Sequence, residues 1–276
     1  MSIHDLSFEH LPETFKRRSR LQLRLTVRRS ARRAARVLAL SDSGRADIIS
    51  TYNIAPERVT TIPLAAPARF APVTNQDELQ RVRDKYAIGE RDEGYILSLG
   101  SIQPRKNLAR LVRAYSRLRD ERPGVKLPKL VLAGKKGWLY DETLRAIAES
   151  GFGDQILVTG YVSEADLPAL YSGATCFVYP SYFEGFGLPP LEAMKCGAPV
   201  IVGDRTSLPE VVGDAGVLVD PFNEAAIAAA LARLIDNPDL RDDLRVKGLK
   251  RANSFSWCDT ARRTLEVYRQ VARAQI

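Results

Sequence analysis

A doubly wound α/β fold, a parallel sheet covered by helices on both faces, is predicted by three observations. Short apolar runs recur along the chain, most are separated by segments with apolar residues at helical spacing, and the runs are continuously apolar rather than alternating. With 276 residues, 45% hydrophobic and 27% charged, the chain can bury one large or two modest cores, which excludes a stapled miniature scaffold and a disordered chain.

The elements follow in order. Ten basic residues and no acidic one lie from Lys16 to Arg36, with Leu23, Val27, Ala31, Ala34 and Leu38 at helical spacing beneath them. This predicts a basic amphipathic helix and holds most of a net charge of +8. A solvated face and a surface for anionic lipid or another polyanion are equal readings of it. Nucleic acid stands behind both, because no recognition motif or interleaved aromatic pattern accompanies the arginines. A strand is predicted over 37–40, then Ser41-Asp42-Ser43-Gly44 as a helix N-cap, and a strand over 59–64. The Pro-containing and polar stretch over 65–92 marks a domain boundary. Beyond it, strands are predicted at 95–100, 130–133, 156–159, 176–179, 199–202 and 216–219. Leu108, Leu111, Val112, Tyr115 and Leu118 mark the first intervening helix, and Ser163-Glu164-Ala165-Asp166 suggests a capping box for a later one.

In such a sheet, chemistry is expected in loops beyond the carboxyl ends of the strands. The loop after 176–179 carries Gly185 and Gly187, which permit close backbone approach, and Pro189 and Pro190, which suit a first helical turn. The amides there and the helix dipole favour an anion, most naturally phosphate. Glu184 and Glu192 bracket this cradle, and a carboxylate can accept two hydrogen bonds from a vicinal diol, as a nucleotide-sugar would offer. Arg105 and Lys106, after the strand at 95–100, lie where a diphosphate would rest and could neutralise it without a metal. Only two histidines, His4 and His10, and three scattered cysteines are present. A metal centre and a disulfide framework are therefore not expected; the odd, scattered cysteines and the lack of a secretory apolar segment at the start predict a reducing, cytoplasmic compartment, and no apolar run is long enough to span a bilayer.

Pro104-Arg105-Lys106-Asn107, Gly160-Tyr161-Val162-Ser163, the Glu-x7-Glu element from Glu184 to Glu192, and Cys196-Gly197-Ala198-Pro199-Val200 together resemble, in order, the C-terminal domain of retaining glycosyltransferases of family 4, with the GT-B fold. Ser2-Ile3-His4-Asp5-Leu6-Ser7-Phe8 is similar to a late strand of that family's N-terminal domain, and Phe255-Ser256-Trp257 to the start of its final helix. The resemblance implies a remnant of an acceptor-side Rossmann-like domain over 1–75, a linker over 76–92, a complete donor-binding domain over 93–256 and a helix over 257–276 crossing back. It implies that Glu184 sits by the donor sugar with His4 approaching from the other domain. The amides of Gly185, Phe186, Gly187 and Leu188 would hold sugar hydroxyls and diphosphate, Arg105 and Lys106 would stabilise the leaving diphosphate, and Glu192 would take the ribose. Tyr161 and Val162 would line the base pocket. Ser101 stands where family members often have an arginine, which shifts phosphate stabilisation towards Arg105 and Lys106.

The expected activity is metal-independent hexosyl transfer with retention, using mannose or rhamnose, from a nucleotide-sugar co-substrate such as GDP-mannose to a glycan or lipid-linked acceptor, with no further cofactor. The Lys16 to Arg36 helix would touch the anionic inner face of a membrane, and no nucleic-acid partner is expected. Two alternatives stand beside this: a truncated, non-catalytic nucleotide-sugar-binding module, and a lipid- or polyanion-binding protein built on the basic helix. Because the family normally has about a hundred more residues before the His-Asp strand, strands near Ile3 and Val37 are expected to expose unpaired edge and apolar surface.

Overall fold

The computed structural model describes residues 1–90 and 94–273. Strands β1 (Ser2–Ile3), β2 (Val37–Ala39) and β3 (Val59–Thr61) form a small sheet in that order. Strands β4 (Tyr95–Leu99), β5 (Lys129–Ala133), β6 (Ile156–Gly160), β7 (Cys176–Tyr179), β8 (Val200–Gly203) and β9 (Gly216–Val219) form a larger one in the order β6-β5-β4-β7-β8-β9. Neighbouring strands in both sheets are parallel. The order of the larger sheet reverses at β4, so the crevice beyond the carboxyl ends of β4 and β7 is its topological switch point.

The four inner strands β5, β4, β7 and β8 are buried on both faces, as read from the sequence, whereas the edge strands β6 and β9 are only partly buried, with Leu218 42% exposed. Ile96, Leu130, Leu132, Cys176, Val178 and Ile201 point to one core, shared with α5 (Leu108–Asp120) and α10 (Glu224–Asp236). Tyr95, Leu97, Val131, Phe177, Val200 and Val202 point to the other, shared with α7 (Leu167–Ser172) and α8 (Leu188–Lys195). In the small sheet, Ile3, Val37, Ala39 and Val59 pack against α2 (Arg17–Arg33) and α3 (Asp42–Tyr52). Leu38 and Ile62 meet Val267 of α12 (Trp257–Arg273), so the last helix packs on the small sheet. Thr260 Oγ1 donates to Pro63 O at 2.7 Å and Arg263 to Thr61 O at 2.6 Å, which pin it there. Positions 274–276 of the expected helix lie outside the described residues.

Several local expectations change. The strand expected to reach 64 ends at Thr61; Ile62 N still donates to Ala39 O at 2.8 Å, and Pro63 has no amide to continue. The capping box at 163–166 does not form. Asp166 makes no side-chain cap bond; its carboxylate instead receives Arg81 at 3.0 Å, Lys85 at 2.7 Å and the Tyr86 hydroxyl at 2.8 Å. Two cations and a phenol outcompete backbone amides for a buried carboxylate. Those three partners belong to or abut α4 (Gln76–Lys85), a helix within the stretch expected to be linker, capped by the Asn75 side chain and anchored by buried Val82. Positions 91 and 92 of that stretch lie outside the described residues. Of the unpaired edge and exposed apolar surface expected near Ile3 and Val37, the edge is present at β1, which among the described residues pairs only with β2, while the apolar exposure is corrected: β2 is the central strand, and α2 and α3 cover both side chains, leaving Ile3 4% and Val37 0% exposed.

Candidate active site

The switch-point crevice is built by the loops after β4, β7 and β9. Pro104–Lys106 make one 3₁₀ turn, and Asn107 follows with φ 60°, a left-handed conformation that asparagine tolerates. Its buried amide donates to Pro180 O at 3.0 Å and Pro221 O at 2.7 Å, tying the three loops together. Tyr182 N donates to Arg105 O at 3.0 Å. This framework turns Arg105 and Lys106 towards the β7 loop.

There they meet Glu184. Arg105 Nη1 lies 2.9 Å from Glu184 Oε2, Lys106 Nζ 2.8 Å from Oε1, and the Ser181 hydroxyl donates to Oε1 at 2.6 Å. Arg105 also donates to Phe183 O at 2.6 Å and stands 3.8 Å from Asp5. Lys106 further donates to the Tyr179 hydroxyl. Burial alone would raise the Glu184 carboxyl, but the Lys106 and Arg105 cations more than offset it and hold the group below the usual carboxylate range. The backbone is fixed as firmly: Glu184 N donates to Thr206 Oγ1 at 3.0 Å, and Ser207 Oγ lies 2.9 Å from Glu184 O and 2.8 Å from Phe186 O.

Gly185 is where the small sheet touches this loop. A β-carbon there would stand 1.7 Å from His4 O, so only glycine allows the approach, and Ser41 Oγ donates to Gly185 O at 2.9 Å. Phe186 is buried, and Gly187, at φ 111°, caps α8. Pro189 and Pro190 carry no amide, so Leu188 alone offers an amide among the first three positions of that helix. Glu192 does not join the Arg105, Lys106 and Glu184 cluster. It accepts from the Tyr171 hydroxyl at 3.1 Å, and burial pushes its carboxyl up to about 7 against that bond.

Tyr161 is 61% exposed with Lys135 Nζ 4.6 Å from its ring centroid, whereas the Val162 side chain is in the core. His4 lines a cleft of about 140 Å³ with Asp5, His10, Asp47, Phe183 and Glu184. Sequence reasoning missed Ser181, Thr206, Ser207 and Asn107, which position Glu184 and the loops. Only Asn107, next to the basic pair, carried a local signal. Chemically, the arrangement presents two largely buried cations and an ionised carboxylate in one crevice, with a second carboxyl, Glu192 on α8, raised to about 7 and bonded to Tyr171 apart from them.

Residues 80–251, more than half of the chain, match the glycosyl transferases group 1 family. The chain belongs to that family. A relative, the O-antigen chain mannosyltransferase B of Escherichia coli, is 37% identical over 269 residues, 97% of this chain and 69% of that protein. The serotype-specific mannosyltransferase WbdA of the same organism is 35% identical over 246 residues, 88% of this chain but 29% of its own length. Sucrose-phosphate synthase from Thermosynechococcus elongatus shares the fold, with TM-score 0.80 at 24% identity, over 99% of this chain and 67% of that one. The group 1 chain thus has the GT-B type of α/β architecture, and its relatives transfer sugars.

Proposed function

We propose that this glycosyltransferase moves a hexose, mannose first among the candidates, from a nucleotide-sugar to a glycan or lipid-linked acceptor with retention of anomeric configuration. The mannosyl assignment leans on the relatives' names, and GDP-mannose is the donor to try first. The observation that carries the reading is the buried Glu184 held by Arg105 and Lys106 at the switch point. A diphosphate entering there draws the two cations onto its oxygens, and they stabilise the charge that grows as the sugar C1–O bond breaks. They supply that charge without a metal. The acceptor oxygen bonds to C1 from the face the diphosphate leaves, and its proton passes to a phosphate oxygen. Glu184 and His4 face the sugar, the amides of Gly185, Phe186, Gly187 and Leu188 hold hydroxyls and phosphate, Glu192 accepts from the ribose, and Tyr161 with the Val162 backbone borders the base.

The test is calorimetric titration with UDP, GDP and dTDP, without added metal, of the chain and of Lys106→Ala. One saturable nucleotide whose binding the variant loses supports the reading; no binding to any of them refutes it.

A lipid-borne acceptor places the reaction at the cytoplasmic face of a membrane. Leu21 and Leu25 are 59% and 65% exposed and line a surface depression with Arg24, Arg28, Arg29, Arg32, Arg33 and one carboxylate, Glu9, while α2 itself holds no acidic residue. An apolar pair ringed by arginines suits an anionic bilayer better than a merely solvated face. Sedimentation with phosphatidylglycerol vesicles, lost in Leu21→Asp/Leu25→Asp, supports this; equal sedimentation with neutral phosphatidylcholine vesicles refutes it.

A further inference from the structure

Both histidines of the chain border the cleft beside Glu184, and the second has no role in the scheme above. His10 ends α1 (Ser7–His10), and its Nε2 lies 2.6 Å from Asp47 Oδ1 on α3. Asp47 Oδ1 also accepts from Thr51 Oγ1 at 3.0 Å, so the carboxylate that orients the ring is itself oriented. The imidazole lies on the Phe183 ring, centroids 5.4 Å apart and planes 18° from parallel. Phe183 immediately precedes Glu184, and its carbonyl is the one Arg105 grips.

The backbone of this segment is thus fixed from the large sheet, by Arg105, Thr206 and Ser207, while its half-buried phenyl ring is met from the small sheet. We infer that His10 and Asp47 are positioning residues for sugar transfer: the pair holds Phe183 flat and through it sets where the Glu184 segment stands when the two sheets face one another. The ring acts by stacking area and orientation. A planar apolar ring can therefore restore the stacking part of the role without the Asp47 bond, and an amide can stand in for the Asp47 carboxylate. This role rests on the glycosyltransfer reading, and it predicts a loss in the chemical step without a loss of nucleotide affinity, because neither residue reaches the diphosphate cluster.

The experiment compares wild type, His10→Ala, His10→Phe, Asp47→Ala and Asp47→Asn in two ways. In the free chain, hydrogen exchange over 183–187 should quicken about tenfold in both alanine variants and return towards wild type in His10→Phe and Asp47→Asn, with exchange over 216–219 unchanged. With GDP-mannose as donor probe, kcat should fall about 10- to 100-fold in the alanine variants while KM for the donor stays within about twofold, with the two conservative variants rescuing kcat. Unchanged exchange over 183–187 overturns the inference. So does failure of Asp47→Asn to rescue either readout, because the amide oxygen keeps the bond that orients the ring. A wild-type chain that transfers nothing refutes the proposed reaction, and the exchange comparison then decides the positioning role by itself.

Discussion

Replacing Glu184 by glutamine keeps the shape of the crevice and removes one charge. Arg105 and Lys106 are 16% and 11% exposed, with Glu184 at 2.9 and 2.8 Å and Asp5 at 3.8 Å from Arg105 as their anionic partners. Two cations against two anions become two against one. Removing one partner of a buried pair costs about 3–5 kcal/mol. Asp5 remains and the amide oxygen still accepts a bond, so the lower end, about 3 kcal/mol, is expected. For a chain of this size that corresponds to a fall of about 6–12 °C in Tm. The sign reverses with ligand. A diphosphate replaces the missing anion, so the Tm gain on adding saturating GDP should be larger in Glu184→Gln than in wild type, while sugar transfer is lost. Thermal melts with and without GDP measure both. A variant as stable as wild type, or one that gains less from GDP, would refute the charge balance assigned to this crevice.

Glu192 predicts a pH dependence. Its carboxyl is pushed up from an ordinary 4.5 to about 7, so the folded state holds an extra proton between those values, and the contribution to stability, present below pH 4.5, is lost as pH rises through 7. The span is about 3 kcal/mol, and urea denaturation of Glu192→Gln at pH 4.5, 6 and 8 should lack it. With Glu192 in its proposed role of accepting ribose hydroxyls in the ionised form, GDP affinity should rise with pH through about 7 in wild type and stay flat in the variant. Gly185→Ala forces a methyl onto His4 O; separation of the two surfaces should cut transfer about 100-fold and quicken exchange at the Gly44 amide. Asp166→Ala, which releases Arg81, Lys85 and Tyr86 together, should cost about 2–3 kcal/mol in urea, less than a fully buried pair because both cations are half exposed.

The strands were the most legible part of the chain, since β7 and β8 are apolar runs bounded by turn residues and any packing that buries both their faces makes the same element. Helix α4 was not legible: of its ten residues only Leu79 and Val82 are apolar, and its stability comes from the Asn75 cap and from Asp166, about eighty positions away. The failed capping box at Ser163 is the same fact seen from the other side. At the site, Glu184, Arg105 and Lys106 were readable because charged residues at strand ends have few structural uses. Ser181, Thr206 and Ser207 were not, because a hydroxyl acquires its task only when a loop folds back upon it. His10 was hidden for a similar reason, its two partners lying 37 and 173 positions further along.

The polypeptide passes between its two sheets twice, outward after Ile62 and back before α12, and the Thr260 to Pro63 bond joins the two crossings. A body on a single tether can swivel in any direction. Two lengths of chain bonded side by side restrain that swivel more than one does, so the placing of His4, Ser41 and His10 against the Glu184 loop rests on the crossings as well as on the Ser41 to Gly185 bond and the Asp42 and Ser43 amides on Glu210.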